Sequence, residues 1–348
     1  MTDHIISREI GNLGYITLNR PEALNALTQE MCEDITRLLI MWESDPNIGA
    51  VLLDGAGGRA FCAGGDVVML YDSGKAGDTR AEKFWRTEYA LNEYIQRYPK
   101  PYIAMIDGFV MGGGVGLSMH GDIRIAGDNT LFAMPETGIG YFPDVGGTYF
   151  LPRLGNDIGN WLGLTGARAK TAMTCRLGIA THYVPSEAHE DLIKALGNAA
   201  LDGSRDAVDA ILLRRTKGAP HCDAPPEALA AFSRASVADV LQALDKDGGE
   251  WAAKQASILR SKSPLACCVT FEALKRGGDM SFREAMTQEL DLSLNFLKTQ
   301  DFFEGIRAQL IDKDRNPKWS HDDAGVVQAS QIERLFKSTA DPKQEFLS

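Results

Sequence analysis

YIAMIDGFVMGGGVGLSMHGDIRIA, Tyr102 to Ala126, is the stretch that decides the fold. Tyr102 to Ile106 is a short, apolar, β-rich run of the kind that forms a buried strand. Three consecutive glycines, Gly112 to Gly114, then open MGGGVGLSMH, which reads as a glycine turn entering a helix, and Ile123 to Ala126 is strand-like again. A strand, a tight turn, a helix and a second strand within 25 residues predict an α/β arrangement with a parallel sheet.

Working outward, the N-terminal 55 residues alternate β-rich runs (His4 to Glu9, Gly14 to Leu18) with a helical stretch, Thr28 to Trp42, and a buried-looking strand, Ile48 to Leu53. Thr28 offers a bare N-cap for that helix. Helical periodicity returns from Arg80 to Arg97. Beyond about Pro185 the chain becomes Ala-, Leu- and charge-rich, with a hinge-like GAPHCDAPPEA at Gly218 to Ala228, helical pattern from Ala252 to Leu310, and a polar tail. We therefore expect a core over residues 1–185 carrying the active site, and a helical region over 186–348 that completes the pocket and forms the oligomer interface. No period of 20–50 residues supports a solenoid.

Composition narrows the function classes. The 348 residues carry 36 basic and 47 acidic side chains, a net charge of −11 with no basic cluster, which disfavours nucleic acid and anionic lipid as partners. No apolar window reaches the roughly 18 residues that span a bilayer, and Met1 to Gly14 lacks a signal-peptide pattern. The expected location is cytoplasmic, or the matrix for a protein without its presequence. Six cysteines without a CxxC pair, and six histidines without ligand spacing, indicate neither a metal nor a redox cofactor.

Three segments carry chemistry. GGRAFCAGGD, Gly57 to Asp66, follows a strand and precedes a helical patch, so its unpaired N–H groups can cradle developing negative charge. Taken alone it is better explained as a plain glycine-rich turn, and Cys62 within it has no evident base. DGFVMGGGVGLSMHGD, Asp107 to Asp122, is a second such loop at a helix start. Two loops donating one N–H each make an oxyanion hole. Neither competing glycine motif fits, because Gly112 to Gly116 spells GxGxG and not GxGxxG, and His120 stands where a nucleophile elbow needs glycine. The third segment, LFAMPETGIGYFPDVGGTYFLPRLG, Leu131 to Gly155, sets Glu136 and Asp144 eight residues apart in a Pro- and Gly-rich run that can fold both carboxylates into one pocket. Apolar Ile139, Tyr141, Phe142 and Val145 would raise a carboxyl pKa there. The plain alternative makes Glu136 a helix-start residue and Asp144 a turn former.

Together with ITLNRPEALNALT, Ile16 to Thr28, these segments resemble the crotonase (enoyl-CoA hydratase/isomerase) superfamily in its expected order. That resemblance implies a spiral of ββα units with a helical C-terminal region that commonly packs trimers, an acyl-CoA substrate, and oxyanion donors at the backbone N–H groups of Ala63 and Gly113. Gly64, Gly65, Asp66 and Gly112 are then candidates for substrate contact. Enoyl-CoA hydratases carry one glutamate just after the glycine triplet and a second in the PE motif; here Gly116 takes the first place and only Glu136 is present. The pair Glu136 and Asp144 resembles that of 3-hydroxyisobutyryl-CoA hydrolases, as do WRTEYALN (Trp85 to Asn92), whose Glu88 is expected to contact substrate, and DFFEGIRAQLIDKDRNPKW (Asp301 to Trp319). The implied reaction is thioester hydrolysis with Glu136 as nucleophile or general base and Asp144 managing water or the leaving thiolate. Alternatives are an enoyl-CoA hydratase/isomerase with an atypical acid/base pair, and an acyl-CoA-binding protein without catalysis.

Overall fold

A computed structural model describes residues 2–223 and 225–339, so Ala224 of the expected hinge and the end of the polar tail lie outside the described residues. Two sheets organise the chain. The larger has the order β1 (Ile5–Ile10), β2 (Leu13–Leu18), β3 (Ala50–Gly55), β5 (Tyr102–Met105), β7 (Ile123–Ala126) and β10 (His182–Tyr183), all parallel except the β1–β2 hairpin. The smaller comprises β4 (Ala60–Cys62), β6 (Phe109–Met111), β8 (Leu131–Ala133) and β9 (Ala169–Lys170), with β4, β6 and β8 parallel.

Alternation along the central strands fills two cores. Ile16, Leu18, Val51, Leu53, Tyr102 and Ala104 point into the larger core, while Leu13, Tyr15, Ala50, Leu52, Ile103 and Met105 point into the other. Strands buried on both faces read as continuous apolar runs, as these do. Helices α1 (Gln29–Ser44), α2 (Val67–Ala76) and α3 (Arg80–Gln96) belong to the larger core. The α1 start is fixed by Thr28, whose hydroxyl accepts the Met31 N–H at 3.3 Å.

The chain advances by strand in the large sheet, short strand in the small sheet, then helix or turn. β3–β4 leads to α2 and α3, β5–β6 to α4 (Gly113–Met119), and β7–β8 to a single 3₁₀ turn, Glu136–Ile139. This is the expected spiral of ββα units. Each glycine loop therefore leaves the C-terminal end of one of three adjacent parallel strands, β4, β6 and β8, which brings three segments distant in sequence to one place.

Helices α5 (Gly147–Arg153), α6 (Asn156–Thr165) and α7 (Thr171–Arg176) follow. Beyond residue 185, α8 (His189–Gly197) and α9 (Arg205–Leu212) cover the second sheet face through Leu192, Leu196, Val208 and Leu212, a role the sequence left open for this segment. The helical pattern of Ala252 to Leu310 resolves into α11 (Glu250–Arg260), α12 (Pro264–Gly277), α13 (Phe282–Phe296) and α14 (Gln300–Ile306), with α10 (Val237–Asp247) before it and α15 (Ala329–Leu335) in the expected polar tail, and all six join the larger core. Among the described residues no helix is long and apolar enough to cross a membrane.

Candidate active site

A cavity of about 410 Å³ opens where the three loops meet, large enough for a small ligand. Among the residues singled out from sequence, Ala63, Gly64, Gly65, Glu88, Gly112, Gly113, Glu136 and Asp144 all line it. Asp66 does not. Its carboxylate instead caps α2 by accepting the Met69 N–H at 3.1 Å and pairs with Arg20 at 3.3 Å, so it anchors the loop.

The two glycine loops touch. A Cβ placed on Gly113 would stand 2.5 Å from Glu88 Oε1, 2.9 Å from Leu27 Cδ1 and 3.3 Å from the Gly64 carbonyl carbon. Gly112 has φ +46°, and Gly64 has φ +129°, conformations that favour glycine. Hydrogen bonding revises one donor. The Ala63 N–H, expected to face the oxyanion, donates to the Leu24 carbonyl at 3.0 Å. Among the described residues no carbonyl or side chain accepts the N–H of Gly65 or of Gly113. Sequence could not show this, because the Leu24 carbonyl arrives from the left-handed turn at Leu24 and Asn25.

Trp85, Glu88, Tyr89 and Asn92 recur at helical spacing along α3 and share its buried face. Glu88 Oε1, both amide atoms of Asn92 and Glu136 Oε2 are buried without a hydrogen-bond partner among the described residues. Such groups are rare and mark places where a ligand or water is needed. Burial first, and then the charges of Asp144 and Glu289, hold the Glu88 carboxyl well above the usual range. Glu136 is pushed up likewise, by burial and then by Asp144.

Asp144 differs because it is better solvated by the protein. Tyr89 donates its hydroxyl to Asp144 Oδ2 at 2.7 Å, and the Tyr141 hydroxyl lies 3.3 Å from the same oxygen. Ser293 Oγ sits 2.6 Å from the Tyr141 hydroxyl and 2.8 Å from that of Tyr89. Each hydroxyl has one hydrogen, so the shortest contacts are met when Tyr141 donates to Ser293 and Tyr89 to Asp144. Burial raises Asp144 to about 6, and the two phenols and its own turn oppose the rise. Of the two carboxylates, Asp144 thus holds its charge more readily.

The turn that carries Asp144 is unusual. Val145 has φ +53°, costly for a β-branched side chain by about 1–3 kcal/mol, and Gly146 follows at φ +84°. His120 Nε2 lies 2.7 Å from the Val145 carbonyl, and burial pushes this histidine down to about 4, so the neutral ring donates from Nε2. Glu289 closes the turn from the other side, accepting from the N–H of Gly146 at 2.7 Å and from the N–H and hydroxyl of Thr148 at 2.9 and 2.6 Å. The 3₁₀ turn of Glu136 is tied to the C-terminal helices too. The Ser263 N–H donates to the Thr137 carbonyl at 3.2 Å, and the Ser263 hydroxyl to buried Asp301 at 2.5 Å.

Gly116, one turn into α4, has no space for a side chain. A Cβ there would meet Asn92 Nδ2 and Oδ1 at 2.8 Å each and Val145 Cβ at 2.9 Å. Cys62 is buried, its thiol is pushed up to about 12 by burial, and it contacts the Gly64 carbonyl at 3.5 Å, which makes it structural. Among the described residues no group of three or more His, Cys, Asp or Glu could hold a metal ion.

A sequence model of the family described as enoyl-CoA hydratase/isomerase matches residues 13–336. The chain belongs to the enoyl-CoA hydratase/isomerase family. Relatives within it include proteins named 3-hydroxyisobutyryl-CoA hydrolase, mitochondrial. The one from Xenopus tropicalis is 44% identical over 97% of this chain and 91% of its own, and the human one 39% identical over 99% and 91%. Two crystal structures share the fold closely. One, described as a carnitinyl-CoA dehydratase from Mycobacterium thermoresistibile, is 39% identical with a TM-score of 0.90 over 99% of each chain. The other, described as an enoyl-CoA hydratase from Rhodobacter sphaeroides, is 38% identical with a TM-score of 0.84 over 96% of this chain and 97% of its own. These family members correct the expected cytoplasmic location, since the hydrolase relatives are named as mitochondrial. Charge and hydropathy, on which that expectation stood, carry no compartment address.

Proposed function

We propose that this protein is an acyl-CoA thioester hydrolase that converts 3-hydroxyisobutyryl-CoA to 3-hydroxyisobutyrate and CoA, the step its relatives' name describes and one that belongs to valine breakdown. The observation that carries the choice over a hydratase is the pair Glu136 and Asp144 in one cavity, with Gly116 closed off where a second glutamate would be needed. Of the two positions from which hydratases present their glutamates, only that of Glu136 carries one here, and Glu88 enters the cavity from a different helix. Arg168 and Lys262 line the same cavity and suit a substrate that carries phosphates.

In this reading the thioester carbonyl oxygen is held by the free N–H groups of Gly65 and Gly113, the former taking the place first assigned to Ala63. Gly64 and Gly112 let the backbone approach, and Glu88 contacts the acyl group. Glu136 as carboxylate attacks the carbonyl carbon, the C–S bond breaks, and the thiolate leaves and takes up a proton as CoA. Asp144 then draws a proton from the water that opens the mixed anhydride, returning Glu136 as carboxylate. These side chains suffice without metal or redox cofactor, and chains assemble as a trimer or a multiple of it, as the family resemblance implies.

A panel of short acyl-CoAs, including the 3-hydroxyisobutyryl, 3-hydroxypropionyl, isobutyryl and crotonyl thioesters, tests the reading. Free thiol should appear fastest with 3-hydroxyisobutyryl-CoA. Loss of the crotonyl enone absorbance without thiol would establish the hydratase instead.

A further inference from the structure

We propose that Glu289, on α13, is a positioning residue that holds Asp144 in its working geometry. This rests on the reading of Asp144 as a working carboxylate. Glu289 is fully buried, yet no substrate-facing surface is assigned to it and it does not line the cavity. Its two oxygens accept three donors, all from the turn immediately after Asp144: Gly146 N–H on Oε2, Thr148 N–H and hydroxyl on Oε1.

Burying a carboxylate is unfavourable unless specific donors meet it, and here every donor comes from the strained segment. Val145 at φ +53° would relax toward an ordinary backbone if nothing fixed its ends. Glu289 fixes one end, and His120 fixes the Val145 carbonyl. One turn further along the same helix face, the Ser293 hydroxyl donates to the Glu289 carbonyl at 2.7 Å and accepts from Tyr141, while Tyr89 donates to Asp144. A single helix thereby fixes the backbone that carries Asp144 and holds the Tyr141 hydroxyl beside its side chain.

The test is thiol release from 3-hydroxyisobutyryl-CoA by the wild type, Glu289→Gln, Asp144→Asn and the double variant, with pre-steady-state traces. The amide that Glu289→Gln introduces has one acceptor oxygen for three donors, so the turn loses its clamp while the volume is kept. We expect kcat to fall on the order of a hundredfold, as for a misplacement of about 1 Å, with KM within about threefold. The trace of Glu289→Gln should take the shape shown by Asp144→Asn, and the double variant should be no worse than the weaker single by more than about threefold. Losses that multiply in the double variant, or a folded Glu289→Gln with wild-type kcat, would overturn the proposal. If Glu289→Gln does not fold, Thr148→Val removes one donor only and should lower kcat with KM unchanged; wild-type kcat in that variant also refutes it. A wild type that releases no thiol sinks the hydrolase reading, whereas an active wild type matched by Glu289→Gln sinks only the clamp.

Discussion

Replacing Gly113 by alanine places a methyl carbon 2.5 Å from Glu88 Oε1 and 2.9 Å from Leu27 Cδ1. Ordinary contact begins at 3.4 Å, so relief requires movements of about 0.9 Å (3.4 − 2.5) and about 0.5 Å (3.4 − 2.9). Leu27 is fully buried, and Glu88, 2% exposed, can yield only into the cavity it lines. The strain is therefore shared with the loop at Gly64, whose carbonyl carbon lies 3.3 Å from the same methyl. An oxyanion hole tolerates errors of only about 0.5 Å, and loss of one donor costs about 2.7–4 kcal/mol of transition-state stabilisation. We expect kcat to fall on the order of a hundredfold or more, with KM changed only a few-fold, because the ground-state carbonyl interacts weakly with these donors. Steady-state thiol release over a range of substrate concentrations measures both. A folded Gly113→Ala protein with kcat within about threefold of wild type would refute the assignment of this loop to the oxyanion.

Gly116→Glu should not create hydratase activity, since its Cβ collides with Asn92 and Val145; overpacking of this kind costs about 1–3 kcal/mol, read as a lower Tm, and crotonyl-CoA hydration by a stable variant would contradict it. Asp144→Asn should leave acylation intact and block its resolution, giving a thiol burst of about one equivalent per site and little after; absence of a burst assigns Glu136 to general-base work. If Asp144 must be ionised to resolve the mixed anhydride, in which Glu136 no longer titrates, the rate of that second step in single-turnover traces rises with pH through about 6 in the wild type. Tyr89→Phe removes the closest donor to its charged form, which raises that pKa and shifts the limb upward by roughly one unit; a downward shift would be incompatible. Activity should survive exhaustive treatment with a chelator, and its loss and recovery with added divalent metal would overturn the cofactor-free mechanism.

Long, periodic elements were legible in the sequence because one face of each is buried: α1 with its Thr28 cap, α3, and strands β2, β3, β5 and β7 all lie within a few residues of their expected places. The small sheet was not legible. Strands of two or three residues such as Ala60–Cys62 and Ala169–Lys170 are shorter than any periodicity can register, and Gly55 to Gly65 read simply as loop. At the candidate site, Glu136, Asp144 and the glycine loops were singled out by residue type, local spacing and the family resemblance together, and the fold brings them to one cavity. The proposed oxyanion donor moves from Ala63 to Gly65 because the carbonyl of Leu24, distant in sequence but adjacent in the fold, claims the Ala63 N–H. Ser293 and Glu289 stand more than 140 positions beyond the residues they bond, on an amphipathic helix whose polar buried positions have no local signature. Cys62 has no evident base in the sequence, and the fold buries it.

The most direct measurement of the central claim is stoichiometric: wild-type and Glu136→Gln proteins incubated with 3-hydroxyisobutyryl-CoA, with free CoA thiol and released hydroxy acid quantified together. The account predicts one thiol and one 3-hydroxyisobutyrate per substrate consumed by the wild type, and no turnover above background by Glu136→Gln. Undiminished thiol release by Glu136→Gln, or substrate consumed by the wild type with the thioester intact, would contradict it.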